Sequence, residues 1–148
     1  MPTNWQGPAA TGLVSATAAR RFDWVTDTMK IALLTSAYTP SQDVHDFYDD
    51  LTGEVANGSG YTTGGAAIGS KTSVYDSASN TQRLSGATTA WTFSASKTAR
   101  YGAIYKDTGV GSTSPLLAII DFGSDQTSSG AFSIIPDATD GYLRMVVT

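Results

Sequence analysis

Short stretches of alternating apolar and polar residues run through this chain, and alternation of that kind predicts β-strands. Met29, Ile31 and Leu33 occupy every second position of one such stretch. The run Leu116–Ile120 does not alternate, which predicts a strand buried on both faces, and a polar turn is predicted at Gly123–Gly130. Further strands are predicted at Ala67–Tyr75, Thr81–Leu84, Ala90–Phe93, Tyr101–Lys106, Ala131–Ile135 and Tyr142–Val147.

These strands are separated by turn residues, and the pattern predicts an all-β fold. We expect a single antiparallel β-sandwich of about eight strands, with one or two short helices and an N-terminal arm. Helix is expected only before Met29, where alanines cluster, and near Ser41–Leu51, where apolar residues recur at helical spacing. The predicted domains are an extended arm over residues 1–10 and a β-sandwich over residues 11–148.

The predicted core consists of apolar residues from the strands and from the second helical segment. Trp24 and Trp91 are also expected inside the fold, because tryptophan has a large apolar surface to bury. The other predicted core residues are Ile31, Leu33, Phe47, Ile104, Leu117, Ile119, Phe122, Ile134, Leu143 and Met145.

Composition narrows the class of protein. Charged residues make up 15% of the chain, against about 25% in an average domain. Serine, threonine and glycine take their place, with 17, 21 and 15 copies. This balance excludes a coiled coil, a highly charged disordered chain and an ordinary helical bundle. The chain has no cysteine, so neither a disulfide nor a thiolate contributes.

Charge and hydropathy bear on the partners. The net charge of −4 argues against binding to nucleic acid, which needs clustered lysine or arginine. The longest apolar run, Leu116–Ile120, is far shorter than the roughly 20 residues of a membrane helix. The first residues lack the basic and apolar regions of a secretory signal. We therefore expect no nucleic acid and no membrane among the partners.

One acidic stretch is a candidate cation site. The single histidine, His45, lies among Asp43, Asp46, Asp49 and Asp50. Oxygen-rich loops bind calcium, but these acids lack the alternating spacing and the central glycine of a helix-loop-helix calcium loop. A solvated polar face is the preferred interpretation, and a structural cation remains the alternative. No metal or other cofactor is predicted.

Two motifs resemble functional ones, and each fails on its details. The glycine-rich stretch Gly64–Thr72 places Ser70 between Gly69 and Lys71, so it is not a phosphate-binding loop. The tripeptide Asp107-Thr108-Gly109 matches aspartic proteases, but the preceding Tyr105-Lys106 is a poor match to that motif, and a turn that ends a strand explains the tripeptide fully. No G-x-S-x-G elbow is present. The sequence therefore predicts that the protein is not an enzyme.

The N-terminal residues are the candidate partner-binding site. The arm is polar and interrupted by prolines, yet it contains Trp5, and an extended arm can add a strand to the sheet edge of a neighbouring molecule. Trp5 and Pro8 lie in the arm, and Arg20-Arg21 is the only adjacent basic pair. We predict that Trp5, Pro8, Arg20 and Arg21 contact the partner.

Several stretches of the sequence resemble small structural proteins of tailed bacteriophages. The resemblance lies in Asp27–Pro40, His45–Phe47, Glu54-Val55 and Gly58–Gly65, and further along in Ala99–Gly109, Ser114–Leu116 and Ile120–Gly123. It covers most of the chain from about Phe22 onward and includes no catalytic motif.

The resemblance implies a virion component. The expected function is that of a capsid decoration or cement protein, which binds the major capsid protein and stabilises the shell. The alternative is a tail or fibre component that binds a host receptor. For a decoration protein we expect a location on the capsid exterior, assembly in the host cytoplasm, and a homo-oligomer, most simply a trimer as in phage decoration proteins generally.

Overall fold

The computed structural model describes residues 3–5 and 20–146 of the chain. Ten strands form within these residues, and every pairing between them is antiparallel. The prediction of an all-β fold is confirmed. The strands are β1 (Thr3–Trp5), β2 (Met29–Leu34), β3 (Ala66–Ala67), β4 (Thr72–Asp76), β5 (Thr81–Ser85), β6 (Thr89–Thr92), β7 (Lys97–Lys106), β8 (Leu116–Ser128), β9 (Ala131–Ile134) and β10 (Leu143–Val146).

The strands are arranged in three sheets. The largest has the order β1-β8-β7-β2-β3, the second has the order β10-β5-β4, and the third consists of β6 and β9. Strand β2 pairs with β7 along its whole length, from Met29 opposite Lys106 to Leu34 opposite Tyr101. The long hairpin of β7 and β8 and the neighbouring β2 therefore form the centre of the five-stranded sheet.

One face of the five-stranded sheet shares a core with the other two sheets. Ile31 and Leu33 of β2 belong to the same cluster of buried residues as Leu84 of β5, Trp91 of β6 and Ile134 of β9. Alternation along β2 turns Ala32 and Leu34 to the opposite face, where the segment between β2 and β3 covers them with Tyr38 and the half-buried Leu51. Both faces of β2 are thus buried.

Most of the predicted core is buried in the structure. Phe47, Phe122 and Met145 are the exceptions, since each is half-buried. Met145 lies on β10, an outer strand of its sheet, where less of the chain can cover it. The residues confirmed as buried are Trp24, Ile31, Leu33, Trp91, Ile104, Leu117, Ile119, Ile134 and Leu143.

Two strand predictions need correction. The predicted strand Ala67–Tyr75 is divided into β3 and β4 by a bend at Ser70, which has a positive φ of 44°. The predicted turn at Gly123–Gly130 is mostly strand, because β8 continues to Ser128 and its last residues pair with the first residues of β7. The all-apolar run Leu116–Ile120 is buried throughout, as predicted.

The helix predicted near Ser41–Leu51 is reduced to one 3-10 turn at Tyr48–Asp50. Within this segment His45 N–H donates to the Ser41 carbonyl at 3.2 Å, but other backbone groups bond to the start of β8. Tyr48 N–H donates to the Ser114 carbonyl at 2.8 Å, and Leu116 N–H donates to the Asp46 carbonyl at 2.9 Å. Val44, placed by the pattern on the buried face of a helix, is 71% exposed.

The first helix was predicted within Thr11–Trp24, and residues 11–19 lie outside the described residues; the described residues 20–24 contain no α-helix. Most of the arm, residues 1, 2 and 6–10, also lies outside the described residues. The described part of the arm is β1, which pairs with β8 of its own chain: Thr3 lies opposite Ile120 and Trp5 opposite Ala118. The arm was expected on a neighbour's sheet edge, so this expectation is corrected for residues 3–5. No helix among the described residues is long and apolar enough to cross a membrane.

Candidate functional site

The predicted partner-binding residues that the structure describes have different structural roles. Trp5 contributes its backbone to β1 at the edge of the five-stranded sheet, and Pro8 lies outside the described residues. Arg20 forms an ion pair with Asp46 and places its guanidinium 5.7 Å from the centre of the Phe47 ring. Arg21 is exposed, and its carbonyl accepts a hydrogen bond from Lys106 Nζ at 3.2 Å. Of the two arginines, Arg21 is the one with its side chain turned to solvent.

The acidic stretch is organised by hydrogen bonds within the chain. Asp50 Oδ2 accepts from the backbone N–H of Asp46 at 2.9 Å and of Phe47 at 3.0 Å. These donors, that of Phe47 first, lower the pKa of Asp50 because they stabilise its ionised form. His45 Nδ1 lies 2.8 Å from the Tyr38 hydroxyl. Across the described ranges, no group of three or more histidine and acidic side chains is arranged to hold a metal ion.

Glu54 is the centre of a network of hydrogen bonds that joins distant parts of the described chain. Glu54 Oε2 accepts from the Tyr48 hydroxyl at 2.5 Å, and Oε1 accepts from the Tyr61 hydroxyl at 2.6 Å and from Gly64 N–H at 2.7 Å. The Tyr61 oxygen in turn accepts from Leu33 N–H at 2.9 Å. One carboxylate therefore fastens the segment between β2 and β3 to the backbone of β2.

The tyrosines of this network are held in their neutral form. Burial raises the pKa of Tyr61, Tyr48 and Tyr105 well above the usual range of a phenol, and Glu54 adds to the rise because a nearby negative charge opposes ionisation. Tyr48 and Tyr105 stack with their ring centres 4.6 Å apart, and the Tyr105 hydroxyl donates to the Gly64 carbonyl at 2.7 Å. Neutral phenols with raised pKa are hydrogen-bond donors and poor general bases.

A cleft of about 300 Å³ opens beside the stacked tyrosines. Lys30 and Asp107 line it and form an ion pair of 2.6 Å with each other. The hydrogen bond from Lys30 is the main cause that lowers the pKa of Asp107. Asp107 Oδ1 also accepts from Gly109 N–H at 2.9 Å, and Gly109 has a φ of +85°. The Asp-Thr-Gly tripeptide is thus the turn that follows β7, and the prediction of a turn that ends a strand is confirmed.

Sequence reasoning did not find the Glu54 network. Its members are spaced at no helical or strand period, and they meet only because the segment 35–64 folds back over β2. No local pattern in the sequence marks Glu54, Tyr61 and Gly64 as partners. A comparison of the chain with family models, curated proteins and solved structures finds no match.

Proposed function

We propose that this chain is a structural protein of a tailed-bacteriophage virion, and that it binds the outer surface of the capsid shell as a decoration protein. The supporting observation is the place of the phage-like stretches in the fold. Asp27–Pro40, Ala99–Gly109 and Ile120–Gly123 are far apart along the chain, yet they contain β2, most of β7 and part of β8, which are neighbours in one sheet. The resemblance therefore follows a folded unit instead of scattered loops.

Two of the remaining phage-like stretches, Glu54-Val55 and Gly58–Gly65, meet at the Glu54 network. Glu54 itself, Tyr61 and Gly64 are joined by hydrogen bonds of 2.6 and 2.7 Å. Residues of these stretches thus have a structural use, which is to fasten a long loop onto the central sheet. A tightly fastened surface loop suits a protein that must keep one shape on a shell, because little conformational entropy is then lost on binding.

A binding role is also supported by how the acidic side chains are used. The carboxylates of Glu54, Asp50 and Asp107 each accept backbone hydrogen bonds that hold local structure. A catalytic carboxylate pair instead needs two groups that share a proton or flank a substrate. We therefore assign no catalytic step to these residues.

We place the contact with the major capsid protein on the N-terminal side, at Trp5, Pro8 and the exposed Arg21. Arg20 acts indirectly, since its charge is balanced by Asp46 within the chain. Many symmetric copies on a shell would strengthen a modest contact by avidity. A homo-oligomer would also gain avidity, because its subunits bind the shell together.

The test is sedimentation of the purified chain with capsid shells from which the protein has been removed. We expect saturable binding, weakened by Arg21→Ala, with Arg144→Ala as the control because it removes the same charge from β10. A variant lacking residues 1–10 should bind least, provided that its circular dichroism matches that of the full chain. Binding to purified tails or to host cells, with none to shells, would contradict the capsid assignment and favour the tail alternative.

A further inference from the structure

Strand β4 has an unusual position at the edge of the three-stranded sheet. It pairs with β5 on one side, and no described residue pairs with its other side. Thr72, Ser73, Val74 and Tyr75 are all exposed. Consecutive side chains of a strand point to opposite faces, so both faces of β4 carry exposed side chains, although Thr72 and Val74 also line a shallow pocket with Asp137 and Ala138.

This edge lacks the features that usually protect an exposed strand from pairing with another chain. Such edges are commonly short, bulged, or interrupted by proline or lysine. Strand β4 has five residues in unbroken register with β5, without proline or lysine, and it exposes Val74 by 48% and Tyr75 by 51%. The other outer strands are shorter: β3 has two residues, β1 three and β10 four.

We propose that β4 is a self-association edge, where two copies of the chain pair their β4 strands antiparallel across a two-fold axis at Val74. The two three-stranded sheets then become one sheet of six strands. In this register Val74 faces its own copy, Ser73 faces Tyr75, and Thr72 faces Asp76. The proposal concerns the chain in solution and does not depend on the proposed role in a virion.

The side chains of the strand are complementary to themselves in that register. The small Ser73 opposite the large Tyr75 leaves room for the aromatic ring, and the two Val74 side chains meet on the other face. A strand that is complementary to itself forms a closed, isologous contact, which stops at two copies.

Charge selects the antiparallel direction. Lys71 precedes β4 and Asp76 ends it. Antiparallel pairing places the lysine of each copy opposite Ser77, at the same end of the joined strands as the aspartate of the other copy, whereas parallel pairing would place like charges at the same end. Lys71 forms no ion pair within the described chain, whereas Lys30, Lys106, Arg20, Arg100 and Arg144 each do. The Asp76 carboxylate accepts hydrogen bonds from Ala78 N–H at 2.9 Å and from the Ser79 hydroxyl at 2.9 Å, which hold it at the end of the strand.

The absence of cysteine permits a direct test on the full chain. Val74→Cys should form an intermolecular disulfide under mild oxidation, because residues facing each other across an antiparallel pair have the Cα separation that a disulfide needs. Val44→Cys is the control, since Val44 is more exposed, at 71%, and lies outside the strand. Cross-linking of Val74→Cys well above that of Val44→Cys supports the pairing. Equal cross-linking overturns it.

The mass in solution gives the second readout. Light scattering from micromolar to millimolar concentration should show a shift from 15.4 kDa towards twice that mass. Val74→Lys, which sets two like charges face to face, should abolish the shift, while Val44→Lys should not. Lys71→Glu should raise the dimer Kd about tenfold and Lys71→Gln by less. A monomer at every concentration, or a complex of three copies, would overturn the proposal.

Discussion

Replacing Gly65 with alanine tests how the loop that contains the Glu54 network is seated on the central sheet. Gly65 has a φ of +75° and lies directly over β2. An added Cβ would be 2.5 Å from the Ile31 carbonyl carbon and 2.7 Å from the Ala32 Cα, and closer still to the Ile31 carbonyl oxygen. Ordinary contacts between carbon atoms begin at about 3.5 Å, so the two backbones would have to separate by about 1 Å.

The cost has two parts. A positive φ costs a non-glycine residue about 1–2 kcal/mol, and forcing atoms into a packed site costs about 1–3 kcal/mol. Separation of the backbones would also weaken the pairing of β3 with β2 and the hydrogen bond from Gly64 to Glu54. We therefore expect Gly65→Ala to lower the free energy of unfolding by about 3–5 kcal/mol.

Gly109→Ala is the matched control. Gly109 has a similar φ of +85°, and a Cβ there would meet nothing within 4 Å. Only the backbone cost of about 1–2 kcal/mol should remain. Urea unfolding followed by tryptophan fluorescence measures both variants. If the two lose the same stability, Gly65 is not packed against β2 and the position of the loop is wrong.

Three further predictions concern the core, the pH dependence and metal ions. In urea unfolding, Ile119→Ala should lower the free energy of unfolding by about 2–5 kcal/mol. The control Ile135→Ala, at a residue that is 66% exposed, should lower it by less than about 0.5 kcal/mol. Equal losses would contradict the burial of Ile119. Burial, with the charge of Asp50, raises the pKa of Tyr38 to about 12. The folded state therefore keeps a proton that the unfolded state releases near pH 10. Thermal melts should show that stability falls as the pH rises from 10 towards 12. A Tyr38→Phe variant should lose part of that slope, and an unchanged slope would contradict the assignment. EDTA should leave the melting temperature unchanged; a marked drop would revive a cation site in the acidic stretch.

The parts of the fold that follow from local pattern could be predicted from the sequence. Alternation at Met29, Ile31 and Leu33 identified β2, and the continuous run Leu116–Ile120 identified a strand buried on both faces. Both are signals of side-chain period and burial, which a strand imposes on its own sequence.

The failures arose where distant residues decide the local structure. The helical spacing near Ser41–Leu51 did not produce a helix because this segment bonds to the start of β8: Tyr48 N–H donates to the Ser114 carbonyl, and Leu116 N–H donates to the Asp46 carbonyl. The polar residues after Gly123 were predicted to form a turn, but β8 continues through them, and Gln126, Thr127 and Ser128 pair with the first residues of β7. The Glu54 network has no local signal at all, since its tyrosines converge only in three dimensions.

The number of copies of this protein in purified phage particles tests the proposed function most directly. Quantitative mass spectrometry, or gel densitometry, would compare it with the major capsid protein of the same particles. A decoration protein is predicted at hundreds of copies per virion, in a fixed ratio to the capsid protein. A few copies per particle would assign it to the tail, and its absence from the particle would contradict a structural role in the virion.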